Sequence, residues 1–271
     1  MMTTSARALG VTAPRIEMDR GRLPMMADET RLRQREEEHV AAEGRLLARP
    51  SATGQPEQPT AVAQYGPGLH PLGLSAGRDG LIYVPASYSP AHPLPLVLML
   101  HGAGGNAYSG LAPLDDLPER AGLIVMAPDA REGTWDVIMG GYGPDVQFIN
   151  RALEQTFARY AVDPAYLAIG GFSDGASYAL SLGLTNGDLF GDVIAFSPGF
   201  MAPGARRGKP RIFISHGTRD AVLGISHTSR RLVPRLRHEG YAVRYEEFDG
   251  IHTVPPQIAR EAVTWFTGRQ P

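Results

Sequence analysis

Beyond Gly80 the chain alternates between two hydrophobic periods. Short apolar runs bounded by Gly, Pro or Asp recur at Leu81–Val84, Leu96–Leu100, Leu123–Ala127, Leu167–Gly170, Val193–Phe196, Arg211–Ser215 and Val243–Phe248. Most are unbroken by polar residues, the pattern of strands buried on both faces. Between them, Asp145–Tyr160 places Val146, Phe148, Ile149, Leu153, Phe157 and Tyr160 close to a period of 3.6, a helix with one apolar face. Ser177–Leu184, Ser229–His238 and Pro255–Thr267 read as further helices. Strand and helix in alternation predict an α/β fold, a mostly parallel doubly wound sheet with helices on both faces.

Residues 1–43 read differently. Asp28–Gly44, DETRLRQREEEHVAAEG, is helix-prone, with Gly44 placed to cap it. Its only apolar positions are Leu32, Val40, Ala41 and Ala42, too few for a core. The expectation is an N-terminal extension over 1–43, helix-prone or partly disordered, ahead of one domain over 44–271. The extension is also the candidate contact for a second copy in a homo-oligomer. Pro50–Pro67, rich in Pro, Gln, Gly and Thr, reads as an irregular connection.

Charge narrows the function classes. With 26 Lys and Arg against 28 Asp and Glu, the net charge of -2 excludes a strongly basic nucleic-acid binder. At 43% hydrophobic and 20% charged residues, the 271-residue chain has globular composition. It has no cysteine, hence no disulfide, thiolate nucleophile or Cys-held metal. No stretch approaches about 18 apolar residues, so no membrane span is expected. Met1–Arg22 lacks the apolar core of a signal peptide, so the reading is cytoplasmic, with secretion the alternative where a leader has been removed.

The strongest chemical signal is Gly170-Gly171-Phe172-Ser173-Asp174-Gly175-Ala176-Ser177, which contains G-x-S-x-G. A bare match is common. Here a strand precedes it and a helix follows, the setting of a nucleophile elbow with Ser173 at its tip. Small residues are needed on either side because the turn is too tight for side chains. A serine hydroxyl needs a base, and in this architecture an acid and then a histidine follow the serine along the chain. Of His216, His227, His238 and His252 downstream, His238 reads as a solvated helix end, whereas His252 follows the last strand in a loop that can swing over the sheet edge. Asp220, in His216-Gly217-Thr218-Arg219-Asp220, follows the preceding strand and is the expected partner of His252. Asp249 is the rival acid, read as a turn former.

The strand Val97–Leu100 runs into His101-Gly102-Ala103-Gly104-Gly105-Asn106. This loop has neither the Lys of a Walker motif nor the spacing of a dinucleotide fingerprint. It fits an oxyanion loop, in which the amide of Ala103 pairs with that of Asp174. The Asp174 carboxylate is expected to point into the helix start, and His101 to be a structural hydrogen-bonder. Trp135 and Tyr142, in the Gly-rich stretch EGTWDVIMGGYGPD, and Phe200, after the strand Val193–Phe196, are candidate substrate-pocket walls, with core packing as the alternative. No metal site and no cofactor is expected.

The set LHGAGGN, GGFSDGAS, HGTRD and GIH resembles the α/β-hydrolase fold, and within it the carboxylesterase/phospholipase branch. It is similar to the polyhydroxybutyrate-depolymerase-like and feruloyl esterases, a resemblance covering residues 80–268. It implies a serine ester hydrolase acting on small-molecule esters, short-chain or aryl, without a large cap domain. Polyester or polyhydroxyalkanoate oligomers, feruloyl esters, lysophospholipids and thioesters are alternative substrates. A serine peptidase and a non-catalytic binding protein are further alternatives on the same fold. Residues 197–210 contain too many Pro and Gly to build a lid helix.

Overall fold

Eight strands form one sheet in the computed structural model, which describes residues 31, 34–56 and 66–268. They are β1 (Gly68–Pro71), β2 (Gly80–Val84), β3 (Leu94–Leu100), β4 (Ile124–Pro128), β5 (Val162–Phe172), β6 (Asp192–Phe196), β7 (Arg211–Gly217) and β8 (Val243–Phe248). The order across the sheet is β1-β2-β4-β3-β5-β6-β7-β8. β1 and β2 pair antiparallel with their neighbours, and β3 to β8 run parallel. The sheet lies in the second of two units, Met1–Glu37 and Glu38–Pro271, into which the chain divides.

Side-chain alternation along the strands sorts the core into two layers. Leu96, Leu98 and Leu100 of β3 pack on one face with α4 (Pro144–Arg159), α5 (Asp174–Thr185) and α6 (Ser229–His238). Val97 and Met99 face the other way, toward α7 (Pro256–Thr267), Leu114 and Leu117. Both faces are covered, which is why these strands read as continuous apolar runs. The order reverses at β3: β4 lies on one side of it and β5 on the other. In open α/β sheets the carboxyl ends of the strands at such a switch point form the ligand crevice.

Three short helices escape the hydrophobic pattern, α1 (Ala107–Leu111), α2 (Leu117–Ala121) and α3 (Asp136–Met139), as does the edge strand β1. Each is four or five residues long, too short to display a period. β5 begins five residues before the expected Leu167, because its register slips: Leu94 pairs with Val162, but Leu96 pairs with Leu167. Asp163 and Pro164 sit in that irregularity and hide the strand's start. Residues 197–210 contain no helix. Among the described residues no helix is long and apolar enough to cross a membrane.

Helical residues 34–42 end as expected at Gly44, at φ 73°. Gly44 N–H donates to Ala41 O and Arg45 N–H to Val40 O, a Schellman closure. The chain then reaches Asn186, the buried residue that caps α5. Asn186 Oδ1 accepts from Leu46 N–H at 2.9 Å and Arg45 at 3.0 Å, and its Nδ2 donates to Gly44 O and Leu182 O. Arg45 and Arg49 both pair with Asp188, and the bonds from Arg45 hold that carboxyl down at about 2. Asn150 Oδ1 takes the next two amides, Leu47 and Ala48, at a half-buried position. Asn186→Ala strands buried donors and acceptors and should lower stability by about 2 kcal/mol or more. Asn150→Ala, where water replaces the lost carbonyl, should lower it by less than about 1 kcal/mol. Urea unfolding midpoints of the two variants, at unchanged slope, check the difference.

Candidate active site

Ser173 stands between β5 and α5 with φ 58° and ψ -119°, a strained conformation for a residue with a Cβ. Its N–H donates to Phe196 O of the neighbouring strand, which fixes the turn to the sheet. The flanking glycines are a steric necessity. A Cβ on Gly171 would lie 2.4 Å from the Gly175 carbonyl carbon, and one on Gly175 would lie 2.2 Å from Leu100 O. The turn therefore presses β5, α5 and the end of β3 into backbone contact. Only there does the serine clear the carboxyl edge of the sheet.

Two loops from that edge converge on it. Ser173 Oγ is 2.9 Å from His252 Nε2, and His252 Nδ1 is 2.6 Å from Asp220 Oδ2. A carboxylate has no proton to give, so Nδ1 carries the hydrogen and Nε2 is left to accept from the serine. Burial opposes charge on Asp220, but the bonds from His252 and from the Leu223 and Val222 amides outweigh it and hold the carboxyl below its ordinary range. A hydroxyl bonded to a neutral imidazole, itself oriented by a buried carboxylate, can surrender its proton as it attacks an electrophile.

Sequence reasoning missed two neighbours. The Phe172 ring lies 4.7 Å from the His252 ring, tilted by 36°. His216 is fully buried, with Nε2 2.7 Å from Leu223 O and 3.2 Å from Asp220 Oδ2, and Nδ1 2.7 Å from Ser229 Oγ. Burial lowers its pKa, which keeps it neutral beside the carboxylate. The signal for it was present in the HGTRD motif, where a histidine four residues before the acid faces back toward it.

Asp249 does not reach His252. It is 84% exposed and pairs with Arg219 at 2.7 Å. His101 is a buried structural histidine: Nδ1–H donates to Gly102 O and Nε2 accepts from Ala130 N–H. The glycine-rich loop abuts the elbow, since a Cβ on Gly102 would sit 3.4 Å from Ser173 Cβ. Ala103 N–H enters no hydrogen bond among the described residues, and Asp174 N–H, the first of α5, has no intrahelical acceptor. Among the described residues both amides are thus without a backbone acceptor. The Asp174 carboxylate, in the first turn of α5, accepts from Thr134 Oγ1 at 2.7 Å.

Trp135 must be corrected as a pocket wall. It is fully buried, donates from Nε1 to His101 O and stacks on Tyr178 with ring centroids 5.1 Å apart. The Gly-rich stretch folds inward there, onto buried Asp145. Asp145 accepts from the amides of Arg131 and Asp136, and burial raises its carboxyl to about 6. Tyr142 donates to Ala202 O, and its ring lies against Gly44. Phe200 is half-buried, and its N–H and that of Gly199 point to Ser177 Oγ. Among the described residues no group of three or more His, Asp or Glu side chains is arranged to hold a metal.

No protein-family model matches the chain. Feruloyl esterase C of Emericella nidulans is 30% identical over 155 residues, 54% of this chain and 56% of that protein. A probable feruloyl esterase C of Aspergillus clavatus is 29% identical over 181 residues, 61% and 65% of the two chains. The chain thus spans 56% to 65% of the length of these curated relatives. Among solved structures, esterase PE8 matches with a TM-score of 0.57 at 23% identity, over 69% of this chain and 96% of that one. A CE1 ferulic acid esterase from Anaeromyces mucronatus, in complex with ferulic acid, matches at 0.53 and 22% identity, over 71% and 85%. The chain has the α/β-hydrolase fold, and its sequence is similar to those of feruloyl esterases.

Proposed function

We propose that this protein is a serine carboxylic-ester hydrolase with Ser173 as nucleophile, His252 as general base and Asp220 as the acid that orients it. The observation that carries this reading is the continuous relay from Ser173 Oγ to His252 Nε2 at 2.9 Å and from His252 Nδ1 to Asp220 at 2.6 Å. Ser173 Oγ attacks the ester carbonyl as its proton passes to His252 Nε2. The amides of Ala103 and Asp174 receive the tetrahedral oxyanion. The intermediate collapses to an acyl-serine, and the departing alcohol takes the proton from His252. Water, deprotonated by the same imidazole, then cleaves the acyl-enzyme and releases the acid. The sequence likeness to feruloyl esterases favours an aryl or short-chain acyl ester as substrate.

Ser173→Ala, His252→Ala and Asp220→Asn should each leave a folded protein whose kcat on p-nitrophenyl acetate is lower by about 10³-fold or more. Asp249→Asn should keep near-native activity. The reverse outcome for the two aspartates would reassign the acid.

Activity should fall as the solution is acidified. The imidazole must be neutral to accept the serine proton, and Asp220, held below the ordinary carboxylate range, stays ionised in mild acid. The plot of log kcat/KM against pH should therefore descend with a slope of one. A rate flat into acid would exclude a histidine base.

Residues 197–210 contain no helix that could serve as a lid for a lipid surface to displace. Rate against concentration of p-nitrophenyl butyrate should saturate smoothly through the solubility limit, and long-chain triglycerides should be poor substrates. A jump in rate on emulsification would contradict an open site.

A further inference from the structure

Three consecutive residues between β4 and α3 each bond to a different part of the site. Gly133 O accepts from Gly104 N–H at 2.7 Å. Thr134 Oγ1–H donates to Asp174 Oδ2 at 2.7 Å. Trp135 Nε1–H donates to His101 O at 2.9 Å. These partners belong to the glycine-rich loop, the start of α5 and the residue that follows β3. The amides of Ala103 and Asp174 lie on the first two of those segments.

The segment that makes these bonds is itself fixed at both ends. Asp145 Oδ1 accepts from Arg131 N–H at 2.6 Å and Oδ2 from Asp136 N–H at 2.7 Å. Asp136 in turn accepts from the amides of Gly143 and Asp145 and from Tyr178 Oη–H at 2.9 Å. Tyr178 belongs to α5 and is fully buried under the Trp135 ring. Among the described residues Thr134 is the sole hydrogen-bond partner of the Asp174 side chain.

Two amides from separate elements can serve one oxygen only if their separation is held. Hydrogen bonds to a developing oxyanion lose most of their value when a donor moves by a fraction of an ångström. β3 and β5 are tied by their ladder, but the loop beyond β3 and the first turn of α5 lie past its end. We propose that residues 133–135 form a strap that sets this spacing, and that Thr134 is its positioning residue, acting through the Asp174 carboxylate on the Asp174 amide. The proposal rests on the reading of these amides as oxyanion donors. Thr134 touches no substrate; it keeps the donor where the negative charge develops.

Thr134→Val removes the hydroxyl at constant shape, and Thr134→Ser keeps it. With p-nitrophenyl acetate, Thr134→Val should lower kcat by about 10- to 100-fold with KM within about twofold. Its affinity for an aryl trifluoromethyl ketone, whose serine adduct carries an oxyanion, should fall by a similar factor. Thermal unfolding should shift by only a few degrees, and Thr134→Ser should restore kcat. Asp174→Ala keeps the amide but loses the same hydrogen bond, so the double variant Thr134→Val/Asp174→Ala should be no slower than the slower single one. A Thr134→Val kcat within twofold of the parent would overturn the strap, as would equal losses in Thr134→Val and Thr134→Ser, since serine keeps the hydroxyl that the strap requires. The underlying reading has its own control: parent protein that hydrolyses no ester, and whose Ser173 is not labelled by a fluorophosphonate, would overturn both.

Discussion

Everything at the sheet edge depends on one backbone contact, the approach of Gly171 and Gly175 to each other and to Leu100 O. It brings the start of α5 against the end of β3 and forces Ser173 into a left-handed conformation. A residue held this way costs of order 1–3 kcal/mol. The surrounding sheet bears it: β5 is paired on both sides, and Ser173 N–H is bound to Phe196 O. Strain and packing are thus one fact. The same closeness that denies both flanking positions a side chain turns the hydroxyl toward His252 and leaves the first amide of α5 without an intrahelical acceptor.

Charge at the site is managed by concentrating it on few groups. Asp220 sits beside two imidazoles, one bonded to Ser173 and one buried and kept neutral. Neutrality of His216 lets it stand against the carboxylate without competing as a counter-ion for the charge that develops on His252. On the far side, Asp136 and Asp145 act as acceptors for loop amides, and burial raises both of their pKa values. For Asp145, a folded-state pKa above the unfolded one means stability present in acid and lost as pH rises toward about 6. The protein accepts that loss at neutral pH in return for a fixed 131–145 loop.

Much of this was legible in the sequence because it rests on local rules. Unbroken apolar runs mark β3, β4, β6 and β7, and the 3.6 period marks α4. The Gly171-Phe172-Ser173-Asp174-Gly175 turn announces itself because only glycine fits at its flanks. Asp220 and His252 were singled out from their order along the chain and their places after strands, and in the structure His252 bonds to both Asp220 and Ser173. What could not be read depends on contacts across the fold. Nothing in EGTWDVIMGGYGPD tells that Trp135 turns inward onto Tyr178, since a tryptophan in a glycine-rich loop suits a pocket as well as a core. The start of β5 was hidden because Asp163 and Pro164 occupy a register slip that only the pairing with Leu94 reveals. The Thr134–Asp174 bond joins residues 40 apart that carry no motif in common.

The clasp of Arg45 and Leu46 on Asn186 joins residues 140 or more apart in sequence. Such a contact forms late, because the loop it closes must first lose its freedom. During synthesis Arg45 and Leu46 leave the ribosome 140 or more residues ahead of Asn186. They must wait, with Leu46 and Ala48 uncovered, until α5 and the Asn186 cap exist. The elbow helix is thus the template on which the earlier segment finally settles. Residues 45–49 can make these bonds only once the chain as far as Asp188 has been made.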